Sequence, residues 1–141
     1  MSAIEDQGIV FHNKIIGEII YKTAKADDPN SDIGFIVRYR DFNVMNEIIN
    51  DLTLAINGNY NLISDLEVSN DIDIAFIGEN QIEFYDQDVL NILYTSPLTE
   101  FLEVLIAWRD FMLTPPLHGS KARCNWYYRL VGCKIQLKQL L

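Results

Sequence analysis

The chain has 141 residues, of which 49% are hydrophobic and 22% are charged, a composition typical of globular proteins rather than of disordered or membrane-spanning ones. A chain of this length most simply forms one domain with a substantial core, and no apolar run approaches the roughly 20 residues of a membrane-spanning helix. The formal net charge of −9 disfavours binding to nucleic acid or to an anionic membrane surface.

The charge is unevenly distributed along the chain. All 20 acidic residues lie within residues 1–110, and the residues after Asp110 carry only basic charges. We therefore expect one domain, 1–141, with an acidic body, 1–116, and a basic, aromatic C-terminal extension, 117–141. The basic residues of the extension are Lys121, Arg123, Arg129, Lys134 and Lys138.

The N-terminal segment predicts a cytoplasmic protein. The sequence "MSAIEDQGIVF" has no basic stretch and carries Glu5 and Asp6, unlike a secretory signal peptide. Cys124 and Cys133 are accordingly expected to be reduced thiols rather than a disulfide.

The first predicted elements are two strands joined by a loop. The segment "KIIGEIIYKTAK", residues 14–25, is rich in β-branched residues and predicts a strand, with a helix as the alternative because its isoleucine pairs also recur four apart. The next segment, "ADDPNSD", combines the turn-forming residues Asp, Pro, Asn and Ser and predicts a loop. The segment "IGFIVRYR", residues 33–40, predicts a second strand with Phe35, Val37 and Tyr39 on one face, which could pair antiparallel with the first.

The next segment changes to the periodicity of a helix. Apolar residues recur at steps of three and four over residues 42–57, which predicts a half-buried helix. Asp41 or Asn43 can cap its first turn, and Gly58 can end it. The apolar face consists of Phe42, Met45, Ile48, Ile49, Leu52 and Ile56.

The segment "NDIDIAFIGENQIEFYDQD", residues 70–88, predicts a β-hairpin with one solvated face. Its turn is "GEN", residues 78–80. We expect Ile72, Ile74, Phe76, Ile82 and Phe84 on the inner face, and Asp71, Asp73, Ala75, Gln81, Glu83 and Tyr85 on the outer face. The segment "VLNILYT" predicts a further short strand.

A second helix is predicted over about residues 97–113, within "SPLTEFLEVLIAWRDFMLTPP". Ser96 is a suitable N-cap, and Pro97 suits the first helical position. Trp108 lies on the apolar face and is expected in the core. The other members of that face are Leu98, Phe101, Leu102, Leu105 and Met112. After Pro116 the chain alternates loosely through Trp126, Tyr128 and Leu130, which predicts a strand.

The sequence contains no recognisable catalytic or cofactor motif. His12 and His118 are the only histidines, and neither adjoins a nucleophile; there is no phosphate-binding glycine loop and no zinc spacing. Asp71 and Asp73 form an Asp-x-Asp pair but lack the glycine and closing glutamate of a calcium loop. We therefore predict no metal, no cofactor and no enzymatic activity. The fold predicted is α+β, an antiparallel sheet with both helices packed on one face.

The order of these elements resembles the immunity proteins of bacterial polymorphic and contact-dependent growth-inhibition toxin systems. The resemblance covers roughly residues 15–113 and includes a helix of the pattern Leu-x-x-Phe-Leu-x-x-Leu-x-x-Trp, here Leu98, Phe101, Leu102, Leu105 and Trp108. It implies a protein that binds a cognate toxin domain in the producing cell and blocks it. The basic extension after Pro116 departs from that pattern.

Toxins of this kind are often nucleases with basic surfaces, so the resemblance implies that carboxylates form the binding face. Complementary charge also accelerates association. The predicted partner-binding residues are Asp71, Asp73, Glu83, Tyr85, Asp86 and Asp88. The alternatives are a merely solvated acidic face, an enzyme with His12 or His118 beside a carboxylate in a deep pocket, and an adaptor or oligomerising module with an exposed apolar patch.

Overall fold

The computed structural model describes residues 2–115. Its elements, in chain order, are α1 (Ala3–Asp6), β1 (Ile9–Ile16), β2 (Ile19–Ala26), α2 (Ile33–Ile36), α3 (Phe42–Ile56), a 3₁₀ turn (Tyr60–Leu62), β3 (Ile74–Ile77), β4 (Gln81–Tyr85), β5 (Ile92–Pro97) and α4 (Leu98–Met112). Two separate sheets, β1–β2 and β3–β4–β5, accompany the two long helices. The α+β class is therefore confirmed.

The described chain divides into two compact units. Unit 1 comprises residues 2–9 and 26–106, and unit 2 comprises residues 10–25 and 107–115. Unit 1 carries 18 acidic residues against two basic ones, Arg38 and Arg40, a net charge of −16. The described part of unit 2 carries four basic residues against two acidic ones, a net charge of +2.

The sheet of unit 1 is antiparallel and buries one face. Ala75 pairs with Phe84 across β3 and β4, and Ile77 pairs with Ile82; all four side chains are buried. Residues 66–70 cover the free edge of β3, because Val68 N–H donates to the Ala75 carbonyl and Ile77 N–H to the Leu66 carbonyl. In the described chain, β5 forms the other edge of this sheet.

The hairpin prediction is confirmed, but the faces assigned to β3 were wrong. Ala75 and Ile77 point into the core, whereas Ile72 is 55% exposed. All four residues of β3, "IAFI", are apolar, so the sequence pattern does not decide which alternate pair is buried. Asp71 and Asp73 precede the strand, which begins at Ile74, and therefore do not lie on its outer face.

Helix α3 confirms the helix predicted over residues 42–57. The Asp41 side chain accepts hydrogen bonds from Asn43 N–H and Val44 N–H, which satisfies two of the otherwise unpaired amides of the first turn. Its buried face contains Met45, Ile48, Leu52 and Ala55. Ile56, predicted on that face, is exposed. The chain turns away at Gly58, where φ is +83°, a conformation that glycine adopts without a Cβ clash.

Helix α4 starts one residue later than predicted. Ser96 and Pro97 are the last residues of β5, and the helix begins at Leu98. Within unit 1 its Phe101 ring lies 6.3 Å from Phe84 on the sheet and 6.0 Å from Phe35. The helix therefore packs on the buried face of the sheet through aromatic contacts.

The segment 33–40, predicted as a strand, contains a single helical turn, α2, followed by a non-helical turn. Ile33, Phe35, Ile36 and Tyr39 are all buried, and their spacings of three and four suit a helical turn better than alternation does. The Tyr39 hydroxyl donates to the Val68 carbonyl, which satisfies that buried polar group. The predicted pairing of this segment with the preceding strand is therefore wrong.

Unit 2 contains the β1–β2 hairpin. The single strand predicted over residues 14–25 is interrupted at Gly17, where φ is +63°, and only two residues separate β1 from β2, which makes the pair antiparallel. The helical alternative is therefore wrong. Phe11 stacks on Phe111 at 5.4 Å and lies 6.1 Å from Trp108. Trp108 is fully buried, as predicted.

Among residues 2–115, no helix is long and apolar enough to cross a membrane. The strand predicted through Trp126, Tyr128 and Leu130 lies outside the described residues, as do His118, the two cysteines and the basic extension.

Candidate partner-binding surface

Unit 1 contains an acidic cleft. It has a volume of about 250 Å³ and is lined by four carboxylates, together with Gln7 and Tyr94. None of the described residues that line it is basic. The four carboxylates come from segments far apart in the sequence: Asp6, Asp28, Asp32 and Glu100. Such a cleft attracts a cationic group.

The buried Gln7 side chain fixes the position of Asp32 in the cleft. Its amide Nε2 donates to Asp32 Oδ2 at 3.1 Å, while its Oε1 accepts from the Asp32 N–H at 2.9 Å and from the Ser31 hydroxyl at 2.6 Å. Gln7 follows α1, whose capping box joins Ser2 and Glu5. A short capped turn thus fixes one amide, and that amide orients Asp32.

Asp32 is the buried carboxylate of the cleft, only 6% exposed. Burial raises the pKa of Asp32, and the nearby Asp28 carboxylate raises it further, whereas hydrogen bonds from Ser96 and Gln7 oppose the rise. A carboxylate in this situation is stabilised in its ionised form when a cation arrives. The cleft therefore combines one desolvated carboxylate with three at its rim.

Tyr94 provides an aromatic wall. Its ring stacks on Phe84 with a centroid distance of 4.3 Å, and the residue is 47% exposed. Partial burial raises the pKa of Tyr94, with smaller contributions from the carboxylates of Asp73 and Asp32. Carboxylates beside an exposed aromatic face suit a lysine or arginine side chain, which can form both ion pairs and a cation–π contact.

Four of the six residues predicted from the sequence make side-chain interactions within the chain. Asp71 makes a two-pronged ion pair with Arg38, at 2.6 and 2.8 Å, which lowers the pKa of Asp71. Glu83 accepts a hydrogen bond from the Tyr85 hydroxyl at 3.0 Å, which raises the pKa of Tyr85. These three side chains are thus engaged within the chain itself.

Asp86 has an intramolecular role as well. Its carboxylate accepts from Asn91 Nδ2 at 2.8 Å and from Leu90 N–H at 3.0 Å, and the Asn91 contact is the main reason that the pKa of Asp86 is lowered. Asp73 and Asp88 are exposed, and their side chains make no hydrogen bond within residues 2–115. Of the six, these two have carboxylates available to a partner.

Metal and histidine sites receive no support from residues 2–115. No group of three or more His, Cys, Asp or Glu side chains among these residues could hold a metal ion. His12 lies on β1 with its Nδ1 buried and without a hydrogen-bond partner. Neither the acidic cleft nor a second cavity, beside the end of α3, is lined by His12.

The sequence offered little signal for the cleft. Asp28 and Asp32 belong to the predicted loop, and Asp6 lies in the N-terminal segment, outside any predicted site. Glu100 falls within the helix predicted over about residues 97–113. The one local hint is the density of aspartates in "ADDPNSD", and such density is common in solvated turns.

Comparisons with known proteins do not assign this chain to a family: no protein-family model, no curated protein sequence and no solved structure matches it.

Proposed function

We propose that this protein is an immunity-type inhibitor that binds a basic toxin domain, of the nuclease kind, in the cytoplasm of the cell that makes the toxin. The observation that carries the proposal is the acidic cleft, in a unit whose net charge is −16. A nuclease must attract a polyanion, so its basic active-site surface is complementary to such a unit. Blocking that surface would stop the toxin without any catalysis by the inhibitor.

The cleft suggests how the complex forms. Long-range attraction first increases the encounter rate. A lysine or arginine of the toxin then enters between the rim carboxylates and the Tyr94 ring, and its charge stabilises ionised Asp32. Because burial raises the pKa of Asp32 in the free protein, the arriving cation should lower it. Binding should therefore release a proton where Asp32 is partly protonated.

The test screens the product of the adjacent gene as the candidate toxin domain and measures its association at low and high salt. The cleft variant is Asp28→Asn with Glu100→Gln, since these two rim positions are exposed. A matched control removes two charges elsewhere in unit 1, Glu47→Gln with Glu79→Gln, both also exposed. A third variant, Asp73→Asn with Asp88→Asn, tests the hairpin carboxylates predicted from the sequence.

We expect the cleft variant to associate about tenfold more slowly at low salt, and the control about twofold more slowly. The difference should shrink as salt rises, because exposed charges are screened within about 8–10 Å. Equal effects of the cleft and control variants would show that only overall charge matters. Failure of the wild-type protein to bind or inhibit the toxin would refute the proposal.

A second candidate function, an oligomerising or adaptor module, is favoured by one observation. The β1–β2 hairpin of unit 2 exposes Ile15, Ile16 and Ile19, of which Ile15 is 72% exposed. Adjacent exposed isoleucines are typical of interaction surfaces. Sedimentation analysis of the purified protein would distinguish a self-associating module from a monomeric inhibitor.

A further inference from the structure

The loop between β4 and β5, with the start of β5, forms an exposed apolar ridge. We define the apolar ridge as Val89, Leu90, Ile92, Leu93 and Tyr94. Leu90 is 77% exposed and Leu93 is 62% exposed, the other three being exposed as well. Single exposed apolar residues are ordinary, but a cluster of five within six positions marks an interaction surface.

The ridge is held in shape by Asp86 at the cost of backbone strain. Asp86 accepts hydrogen bonds from Leu90 N–H, Asn91 N–H and Asn91 Nδ2, and its carbonyl accepts from Val89 N–H. Val89 has a φ of +58°, a conformation that is rare for a β-branched residue. A glycine would avoid this strain, so valine is an unusual residue for this turn.

The position of β5 makes the ridge accessible. In the described chain β5 pairs only with β4 and forms an edge of its sheet. Tyr94 belongs both to the ridge and to the lining of the acidic cleft. Asp88 lies in the same loop, and the Asp73 carboxylate is near enough to influence the pKa of Tyr94. The ridge is thus an apolar strip with carboxylates beside it.

We infer that the apolar ridge is the energetic centre of the interface with the basic toxin domain, and that the toxin presents an apolar depression bordered by lysine or arginine side chains. This inference rests on the proposed function and adds a binding mode to it. Interfaces typically combine an apolar centre with a polar rim, and here the rim carries Asp73, Asp88 and the cleft carboxylates.

Charge favours a basic foreign partner over a second copy joined ridge to ridge. Two copies joined through their ridges would bring together two units of net charge −16, which repel each other. A basic partner turns the same charge into attraction. The occupant that fits the ridge is therefore a protein of opposite charge.

The test compares two variants against the same candidate toxin domain. The ridge variant is Leu90→Gln with Leu93→Gln, and the matched control is Val44→Gln with Leu62→Gln, two exposed apolar positions elsewhere in unit 1. We expect the ridge variant to weaken binding at least about 30-fold, mainly through faster dissociation. The loss should be the same at low and high salt, and the control should change affinity about twofold or less. Thermal unfolding checks that each variant folds.

Three outcomes of this test separate the inference from the proposed function. If the ridge variant binds like the wild type while the cleft variant is weakened, the inference is wrong and the proposed function survives. If the wild type does not bind the toxin, the proposed function fails and the inference fails with it. If the wild type sediments as a dimer that the ridge variant dissociates, a second copy occupies the ridge and the inference is overturned.

Discussion

The β1–β2 hairpin and the β4–β5 hairpin both place a residue with positive φ in the turn, but the residues differ. Both turns contain a residue in the left-handed conformation, Gly17 at φ +63° and Val89 at φ +58°. Gly17 has no atom within 4 Å of where a Cβ would lie, so only backbone conformation favours glycine there. Glycine is the unstrained choice, and the valine in the second turn therefore points to a role for its side chain.

The two hairpins also differ in what anchors them. The first is anchored in unit 2 by Phe11, Trp108 and Phe111, with the Lys22 ammonium 4.5 Å from the centre of the Phe111 ring. The buried Lys22 also donates to Asn13 Oδ1 at 3.0 Å. The second is anchored in unit 1 by Phe84, through Phe35 at 5.0 Å. Both have a buried aromatic base and an exposed apolar end, so only the strained turn and the surrounding charge distinguish the second.

The largest effect is expected at the anchor of the first hairpin. Trp108→Ala should lower the free energy of unfolding by about 3–5 kcal/mol, because a large, fully buried side chain is replaced by a cavity. Chemical denaturation with tryptophan-independent detection, such as far-ultraviolet circular dichroism, measures this. A loss below about 1 kcal/mol would mean that the aromatic cluster does not anchor the hairpin.

Substitutions at the two turn residues should change the stability of the protein in different ways, and by less than the Trp108 variant does. Gly17→Val should destabilise the protein by about 1–2 kcal/mol, since it forces a β-branched residue into the left-handed region. Val89→Gly should stabilise it, or leave its stability unchanged, because relief of strain is offset by the greater entropy of glycine in the unfolded chain. Thermal unfolding of both variants and the wild type checks the pair.

Toxin binding by the same two variants tests whether the Val89 side chain contacts the partner. If Val89 is kept for the partner, Val89→Gly should weaken toxin binding while Gly17→Val does not. A Val89→Gly variant that is both markedly less stable and unchanged in binding would show that the valine serves the fold instead.

The smallest effect concerns the pH dependence of stability. Burial raises the pKa of Asp32 in the folded state, so between pH 3.8 and that raised value the folded protein binds more protons than the unfolded one. The contribution of Asp32 to stability therefore falls as pH rises through this window. The difference in unfolding free energy, Asp32→Asn minus wild type, should increase from pH 3.5 to pH 7.

Asparagine is a suitable replacement because it keeps one oxygen that can accept from Gln7 or Ser96. The matched control is Asp88→Asn, which removes one carboxylate at an exposed position. A flat difference for Asp32→Asn would place the carboxylate in a more solvated setting than the cleft geometry gives.

The helices were predictable because their signals are local. The apolar stripe of α3 and its Asp41 cap, and the stripe of α4 with Trp108, all lie within a few turns of the same segment, where spacing fixes the face. The β3–β4 hairpin was predictable for the same reason, since a turn and two apolar runs adjoin each other. The α2 segment was not, because its apolar residues alternate at positions 35, 37 and 39 as in a strand, and only the folded chain shows that Ile33 and Ile36 are buried as well.

The α+β class, the two long helices, the β3–β4 hairpin and the excess of acidic charge can all be inferred from the amino-acid sequence. The folded structure is needed to see which side of β3 is buried and that Asp71 and Asp86 are engaged within the chain. It is also needed to see that one cleft is lined by Tyr94 and four carboxylates, those of Asp6, Asp28, Asp32 and Glu100. The physical reason is the distance along the chain over which each signal acts. Periodicity and capping act over a few residues, whereas the face of an all-apolar strand and the gathering of distant carboxylates depend on which surfaces the folded chain brings together.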